Sequence, residues 1–335
     1  MGTLNTLNMN SDQYQQGEVV FNHKTNTGGK TVRVLAPGTV ANLVCGFDVL
    51  GLCLNEPNDL MEVTLLDERK VIVESADGYP LPLDPALNTA GAPLLEMINE
   101  LDEPTGFSIT IHKNIKPGSG IGSSAASAAG AVVAANHLLG NIFQNKDLVR
   151  FAMFGEKVAS GVKHADNVAP CIYGGITLIR SIHPLDIISI PSPDLFVTIV
   201  HPQIEVRTKD ARQILRKEVL LKDAIRQWGN IAGLVAGFMS NDLDLIGRSL
   251  EDVIIEPVRS ILIPGFDEVK SRCKHAGALG GGISGSGPSI FMLSRDEATA
   301  TEVESVMEEI YNRIGLDYHT HVTTINKTGV KILQD

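Results

Sequence analysis

Apolar residues recur at helical spacing along much of the chain. In residues 297–314, Val303, Met307 and Ile310 would lie on one face of a helix, with polar residues on the other. In residues 88–101, Ala90 and Leu94 follow the same rule. The spacing predicts helices over 88–101, 146–160, 266–276 and 297–314, and a helical region over 209–250 with breaks near Trp228 and Asn241.

Short alternating or β-branched runs predict strands between these helices. Residues 107–113 alternate regularly (FSITIHK), and residues 32–37 (VRVLAP) are expected to end at Pro37. Further strands are predicted over 61–66, 71–74, 176–180, 196–200, 289–294, 321–325 and 330–333, with loops over 164–175 and 277–288. Because strands and helices mix without regular βαβ alternation, the pattern predicts an α+β fold.

Chain length and proline positions indicate two domains. The 335 residues are enough for two hydrophobic cores, and Pro184, Pro191 and Pro193 mark a connection over 184–193. We therefore expect one domain over 30–190 and a second over 191–335. Residues 1–29 are polar and lack the apolar segment of a signal peptide, so a disordered tail is predicted there.

Composition disfavours several classes of partner. The net charge of −11 argues against binding to nucleic acid or to an anionic membrane, and makes any anion site a local exception. The four cysteines show no zinc spacing, which favours free thiols in a reducing cytoplasm. No stretch is long and apolar enough to be expected to span a membrane.

A glycine-rich turn over 117–122 precedes Ser123, Ser124 and a run of small helix-forming residues. A helix that begins there would present unpaired N–H groups and a positive dipole end to an anion, and the glycines would let that anion approach the backbone. The turn therefore predicts a phosphate cradle. A capped core helix is an equally weighted alternative on this motif alone.

Two other phosphate motifs do not fit this turn. The Walker pattern requires a lysine after its last glycine, and Ser123 stands there instead. The dinucleotide spacing is absent from the turn. That spacing does occur at Gly280, Gly282 and Gly285, but these follow a predicted helix and precede a strand, so the match is interpreted as chance.

Three separate stretches, APGTVANLVCGFDVLGL (36–52), KPGSGIGSSAASAAG (116–130) and GGGISGSGPSIF (280–291), resemble the three motifs of the GHMP small-molecule kinases. Residues 41–43 and 46–52 of the first stretch resemble the homoserine kinase family in particular, and so do three further stretches, residues 155–170, 208–212 and 256–259. The resemblance runs from about residue 32 to the end of the chain.

This resemblance implies a fold, a reaction and its cofactors. The fold would be an N-terminal domain like the second domain of ribosomal protein S5, followed by a ferredoxin-like C-terminal domain. The reaction would transfer the γ-phosphoryl of ATP, with Mg²⁺, to the hydroxyl of L-homoserine, giving O-phospho-L-homoserine for threonine biosynthesis. A homodimer is left open, because the sequence does not specify the oligomeric state.

The resemblance also implies residues for ATP and the metal. Ser124 and Glu156 would hold Mg²⁺; alternatively, Glu156 is a solvated helix residue or a partner of Lys157 or Lys163. The third motif would fold back beside the phosphate loop, and an apolar slot near 84–95 is expected for adenine. The residues expected to bind ATP are Pro117, Gly118, Ser119, Gly120, Ile121, Gly122, Ser123, Ser124, Ala125 and Ala126, and those of the third motif are Gly282, Ser284, Gly285, Ser286 and Gly287.

A zwitterionic substrate needs groups of both charges. Asp48 suits the ammonium group, and Arg212 and Arg259 suit the carboxylate. The alternatives are that Asp48 caps a helix, that Arg212 pairs on a helix surface with Asp210 or Glu218, and that His164 is structural. The residues expected to bind the substrate are Asn42, Asp48, His164, Asp166, Thr208, Arg212 and Arg259.

Catalysis is expected to rest on positioning and charge neutralisation. Thr39 occupies the first motif where several related kinases need a lysine, and Asn167 follows Asp166 near the reacting hydroxyl. We therefore hypothesise that no strong general base operates, so that loss of Asn167 or Asp166 slows kcat less than loss of Ser124 or Glu156. These four are the predicted catalytic residues.

Two other functions remain open on the sequence. One is a GHMP kinase acting on another alcohol, such as mevalonate or a sugar; Arg212 and Arg259 argue against it, because a neutral sugar needs no pair of guanidinium groups. The other is a non-catalytic ligand-binding or regulatory protein on the same fold. The intact glycine turn, Ser124 and Glu156 argue against that second function.

Overall fold

The computed structural model describes residues 29–333, so the predicted disordered tail lies, apart from residue 29, outside the described residues. Eleven strands are assigned in this part of the chain: β1 Thr31–Ala41, β2 Leu50–Leu66, β3 Val71–Asp77, β4 Gly106–His112, β5 Ile176–Ile182, β6 Leu185–Ile190, β7 Phe196–Pro202, β8 Gly280–Ile283, β9 Ile290–Ser294, β10 Tyr318–Thr324 and β11 Lys331–Leu333. The helices are α1 Gly91–Asn99, α2 Ser123–Leu138, α3 Asn145–Ser160, α4 Val168–Tyr173, α5 Thr208–Gln213, α6 Leu221–Ser240, α7 Leu243–Ser249, α8 Glu256–Arg259, α9 Phe266–His275 and α10 Glu297–Ile314.

The first sheet has seven strands. Its main order is β11-β1-β2-β4-β3, and β5 joins it through the first residues of β2, with β6 beside β5. Only the β3–β4 pair among these strands is parallel. Helix α2 packs closely on β1 and β2. A Cβ at Gly130 would come within 2.6 Å of the Met61 sulfur and 2.9 Å of the Ala36 Cβ, so only glycine fits at this position. The small residues of α2 therefore place the glycine turn against the sheet.

The second sheet has four antiparallel strands in the order β10-β7-β9-β8. One face packs on α9 and α10 around Val200, Met292 and Met307. The opposite face, with Ile199 and Phe291, joins the core of the first sheet. The two sheets thus share a continuous buried region, and a bridge between Leu54 and Ile325 links them at their edge.

The mixed sheets confirm the α+β fold class, but several predicted boundaries were wrong. Strand β1 continues through Pro37 rather than ending there. Its pairing with β2 shifts register between Pro37 and Thr39, so no N–H group is needed at the proline to hydrogen-bond the neighbouring strand. Strand β2 begins at Leu50 rather than at residue 61, since its exposed middle hid the strand from the pattern.

Three irregular regions also differ from the predictions. Residues 185–190 of the predicted connection form β6, residues 168–173 of the predicted polar loop form α4, and residues 280–283 of the predicted glycine loop form β8. Helix α6 runs unbroken through Trp228, and the interruption lies at 214–220 instead; the break near Asn241 is confirmed. Between residues 29 and 333, no helix is both long and apolar enough to cross a bilayer.

Candidate active site

A cleft of about 900 Å³ opens between the glycine turn and the segments that follow β7. The first part of the chain contributes the turn, α3 and the loop before α4, and the second part contributes residues 205–212, Arg259 and Gly285. Every predicted catalytic and substrate-binding residue lines this cleft: Asn42, Asp48, Ser124, Glu156, His164, Asp166, Asn167, Thr208, Arg212 and Arg259.

The glycine turn leads directly into α2, whose first residue is Ser123. Gly118, Gly120 and Gly122 all have positive φ, between 71° and 85°, which glycine adopts without strain. No atom lies within 4 Å of the position that a Cβ would take at Gly118, so its backbone borders open space. The α2 N-terminus and this open backbone together form a cradle suited to phosphate oxygens.

The predicted ATP-binding residues divide into two groups. Pro117, Gly118, Gly120, Gly122, Ser123 and Ser124 line the cleft, whereas Ser119, Ile121, Ala125 and Ala126 are buried outside its lining. The Ser123 hydroxyl donates to the carbonyl of Ile115 at 2.7 Å. That hydroxyl is therefore engaged within the loop, and the hydroxyl facing the cleft is that of Ser124.

The third glycine motif folds back on the phosphate loop, as predicted. Ser284 Oγ donates to the carbonyl of Gly120 at 2.7 Å, and Ser289 Oγ donates to the carbonyl of Ser119 at 2.7 Å. A Cβ at Gly120 would come within 2.6 Å of the Gly287 carbonyl oxygen. Of the predicted third-motif residues, Gly285 and Ser286 line the cleft, and Ser284 and Gly287 contact Gly120 of the loop. Gly282 lies in β8 against Glu256 instead.

Glu156 is buried on α3 and accepts a 2.6 Å hydrogen bond from Ser124 Oγ. Burial raises the pKa of Glu156, and within residues 29–333 no cationic side chain pairs with it. Lys163 instead lies over the Phe154 ring, 3.3 Å from its centroid. The two alternatives for Glu156, a solvated residue and a lysine partner, are therefore wrong.

The Ser124–Glu156 pair fits a divalent cation. The buried Glu156 carboxylate, which has no cationic partner among the described residues, and the adjacent Ser124 hydroxyl would supply two oxygen ligands, and few protein ligands suit Mg²⁺ because it usually binds phosphate oxygens and water as well. No group of three or more His, Cys, Asp or Glu side chains in the described part of the chain could hold a metal ion by itself. The arrangement thus suits a metal that arrives with a nucleotide.

Asp48 and Arg212 form an ion pair across the cleft. Arg212 Nη2 lies 2.8 and 2.9 Å from the two Asp48 carboxylate oxygens, and 2.9 Å from His164 Nε2. Asp48 lies in a turn with φ of 61°, so it caps no helix. The alternatives for Asp48 and for Arg212 are therefore wrong, because these residues contact each other instead.

His164 is neutral in this arrangement. Because a guanidinium only donates, Nε2 of His164 must accept from Arg212. Burial lowers the pKa of His164; the charge of Asp48 opposes this, and the charges of Arg212 and Arg259 add to the lowering. Arg212 Nε is buried and has no hydrogen-bond partner among the described residues, which leaves a donor of the cleft unsatisfied.

Arg259 and Arg212 share an aromatic platform that the sequence did not reveal. The guanidinium carbons of Arg259 and Arg212 lie 4.9 and 5.4 Å from the centroid of the Phe47 ring. Burial, followed by the charge of Arg212, lowers the pKa of Arg259 to about 10. Arg259 also donates to the carbonyls of Ala211 and Gly285. The cleft therefore holds two guanidinium groups against one ring, next to Asp48.

Asn42 and Thr208 connect the substrate side of the cleft to the third motif. Asn42 Nδ2 donates to the Gly285 carbonyl at 2.7 Å, and its Oδ1 accepts from the Asp48 N–H at 3.0 Å. Thr208 Oγ1 lies 3.2 Å from Ser286 Oγ. Asn42 thus fixes the backbone that carries Asp48.

Asp166 and Asn167 stand at the inner end of the cleft. Burial, followed by the charges of Asp48 and Glu156, raises the pKa of Asp166 to about 8, so its carboxyl is protonated at neutral pH in the absence of ligands. Thr39 Oγ1 donates to Asn167 Oδ1 at 2.8 Å. Neither residue presents a strong base to the cleft.

A buried lysine that the sequence analysis missed anchors the phosphate loop. Lys113, 3% exposed at the end of β4, forms an ion pair with Asp59 and donates to the Ser123 carbonyl at 2.7 Å and to Ser127 Oγ at 2.9 Å. The only signal was a charged residue closing an apolar strand, which does not reveal its partners. The expected adenine slot near 84–95 stays a prediction; Thr89 of that range lines the cleft.

Two family descriptions match the chain. "GHMP kinases N terminal domain" matches residues 88–175, and "GHMP kinases C terminal" matches residues 234–313. The first range contains the glycine turn, Glu156 and Asn167. The second contains Arg259 and the third glycine motif.

Curated homoserine kinases are similar to most of the chain. The homoserine kinase of Chlorobium phaeobacteroides is 46% identical over 319 residues, which cover 91% of this chain and 100% of that protein. That of Methanococcus maripaludis is 43% identical over 285 residues, which cover 84% and 94%.

Solved structures show the same relationship. The crystal structure of homoserine kinase from Cytophaga hutchinsonii has a TM-score of 0.87 at 47% identity, covering 93% of this chain and 100% of that one. A mevalonate kinase from L. major has a TM-score of 0.67 at 15% identity, covering 90% and 98%, and shows a shared fold alone.

Proposed function

The chain belongs to the homoserine kinase family of the GHMP kinases, and we propose that it transfers the γ-phosphoryl group of MgATP to the side-chain hydroxyl of L-homoserine. The product is O-phospho-L-homoserine, an intermediate for threonine biosynthesis. The observation that carries the proposal is the Asp48–Arg212 ion pair, which stands inside the cleft beside the phosphate cradle.

The two residues of this ion pair can bind the two opposite charges of a zwitterionic substrate. The substrate ammonium group takes the place of the Arg212 guanidinium on Asp48, and the substrate carboxylate takes the place of Asp48 on Arg212. Arg259 adds a second guanidinium, and the unsatisfied Arg212 Nε offers a further donor. Both charges of the free amino acid are thereby matched, and neither Asp48 nor Arg212 is left without a partner of opposite charge.

The transfer itself needs little covalent help from the protein. The homoserine hydroxyl oxygen bonds to the γ-phosphorus, the bond from that phosphorus to the β–γ bridging oxygen breaks, ADP leaves, and the hydroxyl proton is released. The N–H groups at the start of α2 hold the phosphate oxygens, and Ser124 and Glu156 are the residues that would hold Mg²⁺. When bound, that cation neutralises charge on the phosphates.

No strong general base takes part in this proposal. Asp166 carries a proton at neutral pH in the ligand-free protein, and Asn167 and Thr39 are uncharged groups joined by a hydrogen bond. Their role is to orient the hydroxyl towards the γ-phosphorus. A dissociative transfer tolerates this, because the nucleophile loses its proton late.

The proposal extends to the organisation of the chain. We assign residues 30–190 to the ATP-binding domain and 191–335 to the C-terminal domain, with β11 returning from the second to pair with β1. A cytoplasmic location suits the four free, buried cysteines Cys45, Cys53, Cys171 and Cys273 and a substrate of amino-acid metabolism.

Substrate analogues test these roles directly. We expect kcat/KM for L-homoserine to exceed, by at least about a hundredfold each, the values for γ-hydroxybutyrate, which lacks the amino group, and for propanolamine, which lacks the carboxylate, because each lacks one of the two charges that Asp48 and Arg212 would bind. The KM for ATP serves as the control and should not change. Equal turnover of either analogue would contradict the roles of Asp48 and Arg212.

A further inference from the structure

The segment that carries Asp48 has an unusual backbone. Asn42, Leu43 and Val44 have φ values of 74°, 40° and 66°, and Asp48 has a φ of 61°. Residues other than glycine rarely adopt positive φ, and a β-branched residue such as Val44 is an outlier there. Such a conformation persists only where the surrounding structure holds it. Residues 42–48, which we call the substrate loop, therefore depend on contacts that fix their shape.

Gln227 of α6 supplies one of these contacts from the second half of the chain. Its side chain is 5% exposed, and its Nε2 donates to the Cys45 carbonyl at 2.8 Å, across 182 residues of sequence. Cys45 stands in the middle of the substrate loop. Gln227 does not line the cleft, so it acts on the substrate loop and not on a bound substrate.

The same amide holds the segment that leads to Arg259. Gln227 Oε1 accepts from the Val253 N–H at 3.1 Å. The neighbouring Asp252 carboxylate accepts from the three N–H groups of residues 254–256, at 2.8 to 3.1 Å, and so fixes the turn into α8. Arg259 is the last residue of α8. Gln227 therefore bridges the substrate loop and the helix that carries Arg259.

The two contacts of Gln227 need opposite hydrogen-bonding groups. The Cys45 carbonyl requires a donor and the Val253 N–H requires an acceptor, so the partners determine which way the amide points. An ionised carboxylate at this position could only accept, and an apolar side chain of similar length could do neither. Loss of the amide would leave a buried carbonyl and a buried N–H without their partner.

We infer that Gln227 is a positioning residue for binding of the amino-acid substrate. Its amide keeps Asp48 and Phe47 at a fixed distance from Arg259, whose guanidinium carbon lies 4.9 Å from the centroid of the Phe47 ring. The inference rests on the proposed function and adds to it a residue outside the cleft. The phosphate loop is held separately, through contacts of the third motif with residues 119–120.

Steady-state kinetics of Gln227→Met test this role. Methionine has a similar length and fills the same space without either hydrogen bond. We expect the KM for L-homoserine to rise about tenfold or more and kcat to fall less than about threefold, because the displaced groups bind the charged end of the substrate and not its hydroxyl. The KM for ATP should change less than about threefold. Asn230→Ala removes a hydrogen bond from α6 to the Glu251 carbonyl, and this matched control should leave all three constants unchanged.

Gln227→Glu tests the hydrogen bond itself through its protonation. The ionised carboxylate presents only acceptors to the Cys45 carbonyl, whereas the protonated acid donates to it as the amide does. Burial and the charges of Asp252 and Glu256 raise the pKa of the neighbouring Cys45 thiol, with Lys270 opposing them, and the introduced acid enters the same surroundings. Relative to the unaltered protein, the KM for L-homoserine should therefore be raised about tenfold near pH 8.5 and be about equal near pH 6.

The two variants together decide the inference. An unchanged KM for L-homoserine in Gln227→Met, or an equal rise in the KM for ATP, would overturn it. So would a KM ratio in Gln227→Glu that does not vary with pH, and this profile decides alone if Gln227→Met does not fold. Absence of L-homoserine turnover in the unaltered protein would instead contradict the proposed function, and this inference with it.

Discussion

At the scale of single residues, Glu156 should matter more than any residue near the reacting hydroxyl. We expect Glu156→Gln to lower kcat/KM for L-homoserine by about 10²–10³-fold, because the carboxylate that would hold Mg²⁺ is lost. Its melting temperature should not fall, since the neutral amide relieves a buried charge that has no cationic partner among the described residues.

Asn167→Ala provides the comparison for that variant. It removes only a hydrogen-bonding group next to Thr39, so we expect a loss of about tenfold in kcat, well below that of Glu156→Gln. Steady-state rates with saturating ATP measure both variants. Complete loss of turnover in Asn167→Ala with intact substrate binding would show that this end of the cleft supplies essential proton transfer.

The protonated Asp166 should make stability depend on pH. Its folded-state pKa of about 8 is raised above the unfolded value near 4, so the folded protein binds the extra proton. The stabilisation that this proton gives the folded protein is complete below the unfolded-state pKa and is lost as pH rises towards 8. Asp166→Asn keeps the shape of the protonated carboxyl group but does not titrate. In ligand-free protein, the stability of this variant relative to the unaltered protein should therefore increase between pH 5 and 8, by at most about 1.4 kcal/mol per pH unit. Thermal unfolding at a series of pH values measures this; parallel curves for the two proteins would mean that Asp166 is ionised.

At the scale of elements, the glycine turn and the third motif act as one unit. Gly120→Ala should destabilise the protein by about 1–3 kcal/mol, because the new Cβ would press on the Gly287 and Ser284 carbonyls. Gly118→Ala has a similar positive φ but meets no neighbour within 4 Å, so it should cost about 1 kcal/mol from backbone strain alone and chiefly raise the KM for ATP. Thermal melting and ATP titration distinguish the pair. Equal melting temperatures would show that the two glycine segments are not packed together.

The elements differ in how far the sequence could predict them. Helix α2 begins at Ser123 as expected because the glycines before it and the small residues after it are local signals. Helix α6 was expected to break at Trp228, although a large apolar residue on the outer face does not interrupt a helix. Strand β2 was shortened because Asn55 and Glu56 are exposed in its middle. Contacts with distant parts of the chain set these element boundaries, and the local sequence pattern carries no information about such contacts.

The candidate site shows the same limit. Every residue that the motifs predicted for substrate binding lines the cleft. The pairing of Asp48 with Arg212, however, joins positions 164 residues apart and could not be predicted from the sequence. Phe47 and Lys113 were missed for a related reason. Each acts through a contact with a distant element, Phe47 with the two guanidinium groups and Lys113 with the first turn of α2.

At the scale of the whole molecule, a strongly acidic protein gathers cationic groups in one cleft. The net charge is −11, yet the cleft gathers Arg212, Arg259, the α2 N-terminus and the buried Lys113. The two sheets bring these groups together, since the phosphate cradle lies on the first sheet and the arginines follow the second sheet's β7. Substrate choice therefore depends on how both halves of the chain meet at the cleft.

Initial rates of ADP release with MgATP and single alcohol acceptors test the central claim most directly. The acceptors are L-homoserine, L-serine, mevalonate, galactose and shikimate, and Glu156→Ala is the control variant. We expect turnover with L-homoserine alone, abolished in the variant. Turnover with mevalonate or galactose and none with L-homoserine would keep the phosphate cradle but contradict the roles of Asp48, Arg212 and Arg259. ATP binding without turnover of any acceptor would contradict the kinase function itself.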